Sequence, residues 1–182
     1  MKKVILLISV LFVSITTMQA QKINWVTMEE AQELMKKEPR KVIMDVYTTW
    51  CGPCKMLDKN TFGNPDVANY INKNYYAIKF NAEGDSSVSY EGNTFTNPNY
   101  DPAKKKRRNA QHQFARYLSV RAYPTMVFFD EDFKLIAPIS GYLLPKQLEI
   151  YLKLFKTDKY KEVVSKEDWE KYQKDFEHEF KS

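Results

Sequence analysis

Apolar positions along this chain recur with two periods, and the changes from one to the other mark its elements. Thr27-Met28-Glu29-Glu30 has the form of a capping box, and the spacing behind it predicts a helix to about Lys37, stopped by Pro39. Lys41 to Thr48 is mostly apolar and rich in strand formers, so a buried strand is expected. Asp45 is out of place within it, because an ionised carboxylate there is costly unless it is paired, solvated or protonated. Cys51 to about Asn60 reads as a helix, and Asn64-Pro65-Asp66 opens another with Asn64 as cap. Tyr75 to Asn81 is the next strand.

From Glu83 to about Arg108 the residues Gly, Ser, Asn and Pro are dense and no apolar period survives, so a long loop is expected. Asn109 to Leu118 then reads as a short helix, Thr125 to Asp130 as a strand, Glu131-Asp132 as a turn and Phe133 to Ile139 as the antiparallel partner. Pro145 opens a helix to about Phe155. Ser165-Lys166-Glu167-Asp168 resembles a second capping box, ahead of a helix whose Trp169, Tyr172, Phe176 and Phe180 form a stripe suited to docking on the domain.

The first twenty residues read as an address. Lys2 and Lys3 precede an apolar run from Val4 to Ile15, and Met18-Gln19-Ala20 ends in a small residue. That run is shorter than the ~20 residues of a spanning helix, so a signal peptide over 1–20 fits better than its alternative, an uncleaved anchor. Export to the periplasm or beyond is the expectation. With 43% hydrophobic residues and two cysteines, neither wholesale disorder nor a disulfide-dense scaffold fits. The formal charge of +5 falls to +3 without Lys2 and Lys3, too small a bias to argue for nucleic acid.

The sharpest chemical signal is Trp50-Cys51-Gly52-Pro53-Cys54-Lys55. Two cysteines three apart at a helix start have Cα atoms at a separation that suits a disulfide able to open and close. Closing so short a loop removes little chain entropy, so a purely structural bond is the weaker reading. Cys51 begins the helix, where free N–H groups and the dipole favour a thiolate, which makes it the expected nucleophile. Cys54, one turn in, is placed to resolve a mixed disulfide. A zinc site would need two more ligands, and His112 and His178 are far apart in sequence; a Cys–His hydrolase would need one of them beside the thiol. No metal and no organic cofactor are expected, the redox group being the Cys51–Cys54 pair itself.

On these residues the chain resembles the thioredoxin superfamily from about Ile23 to Phe155. Asp45 stands where thioredoxins keep a buried carboxylate that takes the proton of the second cysteine, and Lys79 matches the lysine near it. Tyr123-Pro124-Thr125 matches the loop whose cis-proline faces the cysteines, and Gly141 the glycine before the last helix. Lys55-Met56-Leu57-Asp58 through Thr61-Phe62 to Pro65-Asp66-Val67, then Ala122-Tyr123-Pro124-Thr125, then Gly141-Tyr142-Leu143 are most similar to the domains grouped with the C-terminal domain of DsbD-type thiol:disulfide interchange proteins. Tyr47 and Lys59 depart from thioredoxin, which has a tryptophan and a helix-kinking proline at those places.

The resemblance implies an α/β, thioredoxin-like three-layer sandwich with a central mixed sheet over 21–156, an insertion at 83–108 before the cis-proline segment, and a C-terminal helical extension over 157–182. It implies a thiol:disulfide oxidoreductase, working mainly as a reductase of protein disulfides, with an oxidase or isomerase, or a partner-binding module, as alternatives. Cys51, Cys54, Asp45 and Lys79 are then the catalytic candidates; Trp50, Gly52, Pro53, Tyr123, Pro124 and Thr125 are the substrate-binding ones. A membrane electron donor of the DsbD type is the implied partner, and a monomer is expected. Lys104-Lys105-Lys106-Arg107-Arg108 reads as a solvated charged loop or as a contact for a partner or an anionic surface. The insertion is expected to border the thiol site.

Overall fold

Local capping sets the helix starts. In the computed structural model, which describes residues 22–181, helix α1 (Met28–Lys37) begins at a complete capping box: the Thr27 hydroxyl accepts the Glu30 N–H, and Glu30 Oε2 accepts the Thr27 N–H at 2.7 Å. Asn64 Oδ1 accepts the N–H groups of Asp66 and Val67 to start α3 (Pro65–Asn74). The expected signal peptide lies outside the described residues.

Five strands form one mixed sheet. Its order is β1 (Trp25–Val26), β3 (Tyr75–Asn81), β2 (Lys41–Tyr47), β6 (Thr125–Phe129) and β7 (Leu135–Ser140). The first three run parallel, β6 is antiparallel to β2, and β7 is antiparallel to β6. The two-residue pleat sorts their side chains into two cores. Val42, Met44, Val46, Phe80 and Phe129 meet α1 and α4 (Gln113–Tyr117) on one face. Ile43, Ala77, Met126 and Phe128 meet the helix that starts at Gly52, α3 and α5 (Pro145–Lys156) on the other. The result is the expected three-layer α/β sandwich. The same alternation puts Asp45 and Lys79, partners in the β2–β3 register, on the second face.

Three expectations need correction. The segment 83–108 holds a hairpin, β4 (Val88–Tyr90) and β5 (Asn93–Phe95), turning through Glu91 and Gly92 at φ of 48° and 73°. Val88 and Tyr90 are buried in the first core, Tyr90 against Phe114, Phe129 and Phe133. Strands of three residues are too short to show a period of two, which is why they read as loop. Helix α4 starts at Gln113 rather than Asn109, since His112 caps it through Nδ1 and Asn109 clamps the preceding loop. Strand β7 starts at Leu135 rather than Phe133, because Asp130 Oδ1 accepts the N–H groups of Asp132 and Lys134 and widens the turn.

The aromatic stripe beyond Ser165 is also divided differently. Helix α6 (Lys166–Lys174) carries Trp169 and Tyr172, whereas Phe176 and Phe180 lie past its end. Phe180 is buried against Tyr70, drawn in because Glu149, fully buried on α5, accepts the N–H groups of Glu179 and Phe180 and pairs with Lys153 and His178. Lys181 N–H reaches Asp66, and its carbonyl accepts from Asn64, so the tail is strapped to the start of α3. A second buried charge, Lys41, has its ammonium 2.8 Å from both Glu131 and Asp158, which ties the segment after α5 to the start of β2.

Burial pushes the Glu149 carboxyl up, but the hydrogen bonds from Lys153, the tail backbone and His178 outweigh it and hold the group below its ordinary value. A carboxyl depressed in the folded state contributes stability that is present above its unfolded pKa and is lost as pH falls through the folded one. In denaturation followed from neutral to acid pH, Glu149→Gln should therefore be less stable than the parent at neutrality, with the gap narrowing only once pH falls below the ordinary glutamate pKa of about 4.3. A parallel pair of curves would contradict this. Phe180→Ala should cost roughly 3 kcal/mol at any of these pH values.

Candidate redox site

The site sits where β2 hands the chain to a helix. After Tyr47, Thr48 accepts the Cys51 N–H at 3.2 Å and turns the chain, so that Cys51 becomes the N-cap of α2 (Gly52–Met56), with Pro53 in its first turn. Helix α2 runs without a break into a π-helical segment, Leu57–Phe62, which contains Lys59. Cys51 and Cys54 form a disulfide with Cα atoms 5.3 Å apart, and both residues are buried. The Cys54 N–H points at Cys51 Sγ, 3.1 Å away, a helix-start donor aimed at the sulfur.

On the strand that leads into this helix lies the carboxylate that the sequence pattern singles out. Asp45 is 1% exposed; its Oδ2 is 3.3 Å from the Lys79 ammonium and its Oδ1 has no hydrogen-bond partner. Burial pushes this carboxyl up to about 6; the Lys79 charge pulls the other way, and the Asp58 charge adds to the push. Lys79 in turn lies over the rings of Trp25 and Tyr47, 5.0 and 5.3 Å from their centroids, and pairs with Asp58. Asp58 was not picked out from sequence as a site residue. Its signal was available: it follows Cys54 by four residues, one helical turn, on the helix that covers Asp45.

Of the two cysteines Cys51 lines a cleft of about 560 Å³. Of the six residues expected to bind substrate, Trp50, Gly52, Pro53 and Tyr123 line it, while Pro124 and Thr125 are buried behind. The Thr125 hydroxyl is held by the Ala122 carbonyl and Ser140, each at 2.8 Å, so its side chain fixes the loop rather than facing the cleft. The Tyr123–Pro124 peptide is cis, and the Pro124 carbonyl accepts the N–H of Gly141, whose φ of +110° only glycine adopts without strain.

The insertion does border the sulfurs. Glu83 Oε2 accepts the Trp50 indole N–H at 2.7 Å and the Asn109 N–H at 2.8 Å, and Arg108 stacks on the Trp50 ring with its guanidinium 4.6 Å from the centroid. Neither Glu83 nor Arg108 was chosen from sequence as a site residue, since a side chain's tertiary partner on another loop has no local pattern. Both histidines serve the fold: His112 caps α4 and bonds the Ser86 carbonyl, and His178 pairs with Glu149.

Comparison with known proteins agrees with this geometry. Residues 28–156 match the family model described as a thioredoxin-like domain. The chain is 26% identical over 123 residues to the thiol:disulfide interchange protein DsbD of Pectobacterium atrosepticum, an alignment that covers 66% of this chain and 17% of that protein. A thioredoxin-fold protein from Helicobacter pylori superposes with a TM-score of 0.53 at 19% identity, covering 75% of this chain and 81% of the other. The DsbH oxidoreductase does so with a TM-score of 0.52 at 16% identity, over 76% and 85% of the two chains. At those identities the two structures bear on the fold alone.

The raised Asp45 pKa has a defined sign. A neutral Asp45 supports the fold fully below its unfolded pKa, and that support is lost as pH rises through about 6. Asp45→Asn should therefore unfold at higher denaturant than the parent above this range, by up to ~3 kcal/mol, and show no gain near pH 3. Asp58→Asn removes one of the charges that disfavour ionisation, so the Asp45 carboxyl resonance should titrate at lower pH in that variant. An unchanged titration would mean that Asp58 does not act on Asp45.

Proposed function

Because this chain belongs to the thioredoxin-like family, we propose that it is a thiol:disulfide oxidoreductase that reduces protein disulfides in the cell envelope, through Cys51 and Cys54. The observation that carries the reading is the conjunction of a helix-start disulfide with a buried carboxyl, pushed up to about 6, on the strand that leads into that helix.

In the reduced protein the Cys51 thiolate attacks one sulfur of a substrate disulfide. A Cys51–substrate bond forms, and the other substrate sulfur leaves as a thiolate and takes up a proton. The Cys54 thiol then loses its proton to Asp45, a base matched to a solvent near neutral pH. The resulting thiolate attacks Cys51 Sγ, closes the Cys51–Cys54 bond and expels the second substrate sulfur as a thiolate, which takes up a proton from solvent. Two electrons have passed to the substrate. The Cys54 N–H and the helix start stabilise Cys51 as the anion in the reduced protein, where it is the attacking group. Lys79 and Asp58 set how readily Asp45 takes and gives up the proton.

A dithiol donor must return the pair of electrons. A membrane protein of the DsbD type is the proposed source, supported by the similarity over 123 residues to the Pectobacterium atrosepticum protein of that name. Export is supported by the charged and apolar pattern of residues 1–20.

Cys54→Ser should accumulate mixed disulfides with its targets, recovered as adducts that a reductant dissolves. A protein that merely binds partners would yield none. Equilibration with glutathione should place the Cys51–Cys54 pair near about −270 mV; a value near about −120 mV would assign an oxidase instead. In the reduced protein, iodoacetamide at neutral pH should modify Cys51 well before Cys54.

A further inference from the structure

The cleft beside the sulfurs carries an unbalanced positive charge that the proposed chemistry does not use. Arg108, stacked on Trp50, and Arg121, next to Ala122 and Tyr123, both line it together with Cys51. Among the described residues neither guanidinium forms an ion pair or a side-chain hydrogen bond, and stacking on a ring leaves the N–H edges of Arg108 open. The carboxylate lining the same cleft, Glu83, is already engaged through Oε2 by the indole of Trp50 and the backbone of Asn109.

The arrangement is fixed, not a trailing charged loop. Asn109 accepts the Asp101 N–H at 2.9 Å and donates to the Asp101 carbonyl at 2.8 Å, closing the basic segment into a ring. Asn97 donates to the carbonyls of Gly84 and Ala110 and pins the base of that ring. Thr49, beside Trp50, donates to the Lys105 carbonyl at 2.9 Å and holds its far side against the helix start. Behind Arg108 lie Lys105, Lys106 and Arg107, which also make no ion pair among the described residues and add to the local potential.

We propose that Arg108 and Arg121 select protein disulfides whose cysteine is flanked by aspartate or glutamate, in an extended segment laid across the cleft. The inference rests on the oxidoreductase reading and names its substrate class. With two open guanidiniums lining the cleft that holds Cys51, a carboxylate beside the substrate cysteine meets paired N–H donors, and a lysine or arginine there meets like charge. The selection acts mainly on the rate of encounter, and salt weakens it.

The test uses the reduced full chain in single turnover, with the two electrons supplied by Cys51 and Cys54. Three disulfide-linked peptides carry Glu, Ala or Lys on both sides of the cysteine, and each rate is expressed relative to that with 2-hydroxyethyl disulfide, which is neutral. The Glu peptide should react about tenfold or more faster than the Lys peptide at low salt, and the gap should shrink in about 0.5 M salt. Arg108→Gln combined with Arg121→Gln should bring the three relative rates together. Equal relative rates in the parent protein, at any salt, would overturn the selection and leave the oxidoreductase reading in place. Equal rates accompanied by sedimentation of the chain with anionic phospholipid vesicles would assign the charge to a lipid surface. Failure to reduce even the neutral disulfide would overturn the oxidoreductase reading, and the selection with it.

Discussion

The Asp45 carboxylate sits out of water between the sheet and the helix that begins at Cys51, with one oxygen near an ammonium and the other unpartnered. Ionising such a group is opposed by burial and favoured by Lys79, and the balance leaves its proton easily gained and lost near neutral pH. The rest of the site is arranged around that balance. Parallel pairing of β2 with β3 brings Lys79 level with Asp45; the helix start holds the sulfurs on the same face; and Asp58, a turn beyond Cys54, opposes the loss of the proton. The fold tolerates a destabilising charge at the place where the proposed chemistry needs a base.

How much of this could be read beforehand depended on the range of the interaction. Capping boxes, the Asn64-Pro65 start and the buried strands are local, and the sequence pattern located them to within a residue or two. Asp45 was conspicuous because it broke an apolar run, and the cysteine pair because its spacing is a chemical unit. The β4–β5 hairpin escaped notice because each strand is only three residues, and its burial is supplied by Phe114, Phe129 and Phe133 from elsewhere in the chain. Docking of Phe180 is expected from its place in the aromatic stripe, but its anchor, Glu149, lies about thirty residues away, where no helical spacing reveals a partner.

The insertion has two parts with different duties. Its hairpin completes the first core, whereas the ring from Asp101 to Asn109 sits on Trp50 and Thr49 and shapes the approach to the sulfurs. Joining them is Asn97, buried and bonded to the carbonyls at both ends of the segment. A change in the ring can therefore alter what reaches the disulfide without emptying the core. A change in the hairpin cannot avoid the core.

The three tryptophans fall in three separate working parts of the molecule. Trp25 lies against Lys79 beside the buried carboxylate, Trp50 lies beside the disulfide under Arg108, and Trp169 stacks on Tyr151 where the C-terminal extension meets α5. Indole emission responds to nearby charge, sulfur and solvent, so chains that keep one tryptophan at a time would carry an intrinsic optical probe of proton transfer, of electron transfer, or of docking of the extension, with no dye attached.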